Sequence, residues 1–170
     1  MIRRFAVAAL LALAVSPAFA DPTADIFGGF QAKQTDPIQV DAQSLETYEE
    51  GTQRISVFSG GVTVKRGNTT MKAGEIKLYS GLEGAAASSF TRIEANGGIK
   101  VTSKDQVVTG DTAVVDMPTN TITVDGNVVL SQGANVITGA KLVVNLSTGR
   151  ARVDQAPGKQ IRGVFSPTSN

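Results

Sequence analysis

Cysteine, histidine and tryptophan are absent from this 170-residue chain, and aromatic residues make up only 5% of it. Without cysteine there are no disulfides, so the fold depends on backbone ladders and apolar packing. Without histidine or cysteine the commonest general base, the thiolate nucleophile and the usual zinc ligands are missing, which removes most catalytic schemes. Two tyrosines, seven phenylalanines and no tryptophan leave little material for a stacked platform that binds sugars. An excess of positive charge is missing too. Setting aside Arg3 and Arg4, the 16 basic residues become 14 against 15 acidic ones, a net charge near −1 with no basic field for nucleic acid. The apolar run from Phe5 to Val15 is eleven residues long, whereas a membrane-spanning helix needs about 20.

That run lies between a basic start (Arg3, Arg4) and the small-residue tripeptide Ala18-Phe19-Ala20, the three-part pattern of a secretory signal peptide cleaved after Ala20. The exported chain then runs from Asp21 to Asn170, 150 residues, and fits one domain able to bury an ordinary core. The expected division is a signal peptide over 1–20, a lead segment over 21–36, a β domain over 37–156 and a C-terminal tail over 157–170.

What the chain has in quantity is alternation. Val62-Thr63-Val64, Ile99-Lys100-Val101 and Ile122-Thr123-Val124 follow a period of two with β-branched residues, the pattern of strands with one buried face. No helical period follows Ala20, apart from a possible turn near Asp21 to Phe30. Glycine and asparagine punctuate the runs, where positive φ is cheap and a turn or bulge can form. None of these glycines belongs to a phosphate-binding loop of the form G-x-x-x-x-G-K-[ST].

The punctuation repeats. Gly60-Gly61-Val62-Thr63-Val64, Gly97-Gly98-Ile99-Lys100-Val101 and Gly126-Asn127-Val128-Val129-Leu130 share one pattern, and 13 residues after each leading glycine stands Ala73, Gly110 or Gly139. A second alternating strand follows each. The units start 37 and then 29 residues apart, the extra length falling in Ser80 to Ser89, which reads as a loop. Strand-turn-strand units of this kind cannot bury their apolar faces alone, so they stack into a β-jelly-roll or β-solenoid with one apolar interior. Val62, Val64, Ile76, Leu78, Val128 and Leu130 serve equally well there as plain sandwich core. Asp105, Asp111, Asp116 and Asp125 could form an acid-base pair or a calcium site, or could cap backbone N–H groups beside Gly and Pro.

The order of these landmarks resembles the OstA-like repeat of the lipopolysaccharide-transport protein A (LptA) family. It starts at Asp36-Pro37-Ile38-Gln39-Val40 and passes through Phe58-Ser59-Gly60-Gly61-Val62, Val124-Asp125-Gly126-Asn127-Val128 and Asn135-Val136-Ile137-Thr138-Gly139-Ala140-Lys141-Leu142. It ends with Pro157-Gly158-Lys159-Gln160-Ile161 and Val164-Phe165-Ser166-Pro167. The resemblance implies an all-β, antiparallel β-jelly-roll, solenoid-like in its repetition and open along one side. It implies no reaction, no cofactor and no metal, and a place in the periplasm. Head-to-tail copies would bridge an inner-membrane LptC-like and an outer-membrane LptD-like component, carrying lipopolysaccharide with its lipid A acyl chains inside.

Within that family the strand after the leading proline lies at the mouth of the lipid groove, so Ile38 and Val40 inherit a lipid-contact role. The same role passes to Val101, Val115 and Met117, where family members often place larger aromatic side chains. The inward rows Val62, Val64, Ile76 and Leu78 would then line the groove. Lys65, Arg66, Lys72 and Lys77 could meet phosphorylated sugars or form a solvated face. Three rivals remain: a membrane-anchored LptC-like component with the apolar segment retained, a carbohydrate-binding or adhesive β-solenoid, and a structural module that stacks into filaments without a cavity.

Overall fold

The computed structural model describes residues 26–27, 36–82 and 90–166; the signal-peptide reading for 1–20 and most of the lead segment lie outside them. β-Branched residues in alternation extend the backbone and present one apolar edge, and the alternating runs are strands. In chain order they are β1 (Gln39–Asp41), β2 (Ser44–Glu50), β3 (Gln53–Arg66), β4 (Thr69–Gly81), β5 (Phe90–Asn96) and β6 (Ile99–Ser103). Then come β7 (Gln106–Gly110), β8 (Thr112–Asp116), β9 (Thr121–Gln132), β10 (Asn135–Asn145), β11 (Ala151–Asp154) and β12 (Arg162–Val164). β4 carries Ser80 and Gly81, so the loop expected from Ser80 begins later than its composition suggests. β12 lies in the stretch read as tail and pairs with β10.

All twelve strands of the described residues join one antiparallel sheet, and the register shows how it doubles back. The 53–59 arm of β3 pairs with β2 and with the 75–81 arm of β4, whereas its 62–66 arm pairs with β1 and with the 69–73 arm of β4. The long strands therefore belong to two layers. The first runs β2-β3-β4-β5-β8-β9-β10-β11 and the second β1-β3-β4-β6-β7-β9-β10-β12. This is an all-β jelly-roll with β1 and β2 at one end and β11 and β12 at the other.

The repeated glycine pairs make the corners between layers. Gly60 and Gly61 (φ +86° and +81°), Gly97 and Gly98 (+80° and +81°), and Gly126 and Asn127 (+78° and +46°) each place two successive residues at positive φ. Two residues there swing the strand direction without a Cβ clash, which a β-branched pair could not do. The tight hairpin turns are elsewhere, at Gly67, Lys104 and Gly133, with φ of +54°, +53° and +55°.

Rows of aliphatic side chains cross the strands and face each other between the layers. In the second layer the row is Val40, Val64, Met71, Val101, Val108, Leu130 and Ile137. In the first, Phe58, Ile76, Ala95, Ala113, Val124, Leu142 and Val153 form one row. Leu78, Ile93, Val115, Ile122, Val144 and Ala151 form the next. Most are buried in one cluster. Burying each such side chain contributes about 1.5–3 kcal/mol before entropy is counted.

Candidate functional site

Toward the β1/β2 end the facing rows do not close completely. Val40 pairs with Val64 and Val64 with Met71, which puts all three on the inward side of the second layer. Opposite them Phe58 pairs with Ile76, Leu78 with Ile93, and Ile93 with Val115. With Ile38 and Phe90 these residues enclose an apolar cavity of about 50 Å³. Its rim is open to solvent: Ile38 is 47% exposed and Phe90 43%. Leu45, inward by its pairing with Phe58, is 58% exposed beside them. A surface made of hydrocarbon cannot donate, accept or move a proton; it can only take in apolar groups.

Six of the residues expected to touch lipid lie together in this lining: Ile38, Val40, Val64, Ile76, Leu78 and Val115. Val62 and Val101 are fully buried in the core outside it. Met117 sits in the turn after β8, half-buried against the core, with its backbone N–H donating to the Thr91 carbonyl at 3.1 Å. Sequence reasoning passed over Phe58, Met71, Phe90 and Ile93 as lining residues. Ile93 had a signal, its period-two relation to Ala95; Phe90 follows the small-residue stretch and had none. Also unanticipated are Ile26 and Phe27, both 0% exposed within the main core cluster.

The charged residues lie away from the cavity. Lys65, Lys72 and Lys77 alternate with inward Val64, Met71 and Ile76 and so face outward, Lys77 within 3.8 Å of Glu75. Arg66 donates from Nε to the Asp36 carbonyl at 3.0 Å. Three of the four aspartates have local side-chain partners. Asp116 Oδ1 accepts from the Thr119 hydroxyl at 2.6 Å and its backbone N–H at 2.9 Å, and these bonds hold its carboxyl below the usual value. Asp111 Oδ2 accepts from Asn127 Nδ2 at 2.9 Å, and Asp125 pairs with Lys141 at 3.4 Å. Among the described residues no three Asp, Glu, His or Cys gather as a metal site, and none of their helices is long and apolar enough to cross a membrane.

One polar cluster stands on the outward side of the first layer. Glu94 accepts from Arg92 Nε at 2.7 Å and from the Tyr79 hydroxyl at 3.0 Å. Burial works against ionisation of Glu94, but the hydrogen bonds from Arg92 and Tyr79 outweigh it and hold the carboxyl below its usual value. Burial and the same bond to Glu94 push the Tyr79 phenol up. Ile55 is buried outside the main core, in cross-strand register with Tyr48 and Tyr79.

Comparison with known proteins adds to this geometry. An uncharacterized protein of Rhizobium meliloti (strain 1021) is 32% identical over 167 residues, covering 91% of this chain and 89% of that protein. The crystal structure of LptH from Pseudomonas aeruginosa, described as the LptA-homologous periplasmic component of the conserved lipopolysaccharide transport device, superposes with a TM-score of 0.63. It covers 81% of this chain and 100% of LptH at 18% identity, a likeness of fold. Residues 39–150 match the family described as LptA/(LptD N-terminal domain) LPS transport protein, a transport family and not an enzyme family. By that match this chain is a member of the LptA/(LptD N-terminal domain) LPS transport protein family.

Proposed function

We propose that this protein is a periplasmic lipopolysaccharide carrier that takes lipid A acyl chains into the cleft between its two layers. The observation that carries the reading is the wholly apolar lining, with Val40, Val64 and Met71 on one wall and Phe58, Leu78 and Ile93 on the other. Each methylene moved from water into such a cleft contributes about 0.8 kcal/mol, less the cost of ordering the chain. Several acyl chains therefore bind without a directional polar contact, and they leave readily only into another apolar cleft or a membrane, where the same burial is recovered. Movement from membrane to membrane then needs energy supplied elsewhere.

The ends of the jelly-roll suit the bridging role. Among the described residues β2 pairs only with β3, and β11 only with β10, which leaves backbone groups on both edges for another sheet. Another sheet of the same kind can continue the ladder at either edge, whether a second copy or a related inner-membrane LptC-like or outer-membrane LptD-like component. LptH, which shares the fold, is described as the periplasmic component of the conserved lipopolysaccharide transport device.

Because the chain contains no cysteine, a single introduced one carries a unique label. A nitroxide at Leu78→Cys should lose mobility when purified lipopolysaccharide is added, while one at the outward Lys77→Cys should not change. A saccharide stripped of its acyl chains should leave both spectra alone. Equal responses from the two positions, or none from either, would refute the cleft as the acyl site.

A further inference from the structure

The nearly balanced charge of the chain conceals a difference between the two layers. On the outward side of the first layer basic and acidic side chains are matched in ion pairs: Lys77 with Glu75, Arg92 with Glu94, Lys141 with Asp125 and Arg152 with Asp154.

The outward side of the second layer is built otherwise. Lys65, Lys72 and Lys100 alternate with the inward Val64, Met71 and Val101, so all three project outward, and all are exposed. Lys72 is directly opposite Lys100, and Lys65 lies on the diagonal from Lys72; such positions are about 5 Å and about 7 Å apart. Among the described residues none of these lysines has an ion-pair or hydrogen-bond partner. The one acid on the outward side of this layer's strands, Asp41, accepts from Gln39 Nε2 at 3.2 Å. Like charges directly opposite destabilise a ladder. β4 and β6 are interior strands of the layer, so their lysines guard no edge. An anion lying over the face turns the repulsion into attraction.

We propose that the outward face of the second layer is a docking surface for an anionic membrane, with Lys65, Lys72 and Lys100 resting on lipid phosphates. The inference needs only the charges and the register, and stands apart from the reading of the cleft as the acyl site. Around the lysines the face carries Thr63, Thr70, Thr102 and Thr109, and from β3 to β9 it exposes no large apolar side chain. Protein interfaces centre on aromatic or aliphatic anchors and are poor in lysine, so this composition favours a lipid surface over a protein partner. Lysine is a compact point charge on a flexible stem, suited to many phosphates in no fixed geometry, whereas one bidentate phosphate site calls for arginine. Each lysine near such a surface multiplies partitioning about fivefold, so three give about a hundredfold at low salt, and screening weakens it as salt rises.

Flotation of the purified protein at low salt tests this, with vesicles of phosphatidylcholine plus phosphatidylglycerol and vesicles of phosphatidylcholine alone. The unaltered protein should float with the anionic vesicles only. Lys65→Gln/Lys72→Gln/Lys100→Gln should lose about a hundredfold in partitioning. Lys77→Gln/Lys141→Gln/Arg152→Gln makes the same change in net charge on the outward side of the first layer and should keep most of the binding. Where a triple variant does not fold, a dye on a single introduced cysteine decides the matter. On Thr102→Cys, outward in the second layer, it should be quenched by lipids with a nitroxide headgroup; on Thr123→Cys, outward in the first, it should not. Equal losses in the two triple variants, equal quenching at the two positions, or no binding to anionic vesicles would overturn the proposal. Binding to polyglutamate without binding to vesicles would overturn it in favour of an acidic protein.

Discussion

At Glu94 charge bears on stability. Its carboxylate takes hydrogen bonds from Arg92 and Tyr79 on the outward side of the first layer, with the Glu94 side chain 27% exposed and that of Arg92 42%. Charge-assisted bonds at such partly exposed sites are screened, so Glu94→Gln should cost about 1 kcal/mol at neutral pH. The folded-state carboxyl titrates below its ordinary value. Its contribution is therefore complete above the unfolded value and is lost as pH falls through the lowered folded value. Urea unfolding at neutral pH should separate the two proteins, and the gap should close as pH falls below the lowered folded value. A gap that persists in acid would mean that packing, not charge, sets the cost. The same scale marks what the sequence could reveal of the site. Val64, Ile76 and Leu78 were legible because alternation gives each a face, whereas Val40 was reached through the family resemblance. Phe58 and Met71 obey the same alternation, but which inward residues border a cavity and which fill the core is decided by the facing layer. Val62 and Val101 differ from Val64 only in that respect.

At the scale of elements, the repeated glycine pairs are where the strands change layer, and the two members of a pair carry different loads. A Cβ on Gly97 would stand 3.1 Å from the Gly74 Cα, whereas one on Gly98 would meet nothing within 4 Å. Both have φ near +80°. Gly98→Ala should therefore cost about 1 kcal/mol from backbone strain alone, and Gly97→Ala about 2–3 kcal/mol because backbone must also shift. Chemical denaturation of the two variants reads the difference; equal costs would show that the close approach to Gly74 is easily relieved. The spacing of Gly60, Gly97 and Gly126 exposed the repeat, and Ala73, Gly110 and Gly139 marked where each unit's second strand follows. That a single strand such as β3 serves both layers could not be read off, because alternation on each arm looks the same whether the glycine pair ends a strand or bends it. Ile26 and Phe27 escaped notice for a related reason. An isolated apolar pair outside any period carries no face, so only the fold reveals that it is buried.

For the whole molecule, the apolar interior is accessible near β1 and β2, and the proposed function has lipid acyl chains pass there. Composition supports the outline, since a chain without cysteine or histidine and with abundant β-branched residues builds ladders and hydrocarbon walls more readily than reaction centres. The register supplies the sidedness that tests it. Val40 is opposite Val64 on the inward side, and the adjacent Gln39 is opposite Lys65 on the outward side. The most direct measurement is photo-crosslinking in cells that make lipopolysaccharide, with the reactive side chain placed at Ile38, Val40 or Gln39 in turn. Lipopolysaccharide adducts from positions 38 and 40, and none from 39, are the predicted result. Adducts from position 39 equal to those from 40, or none from any position, would contradict the claim.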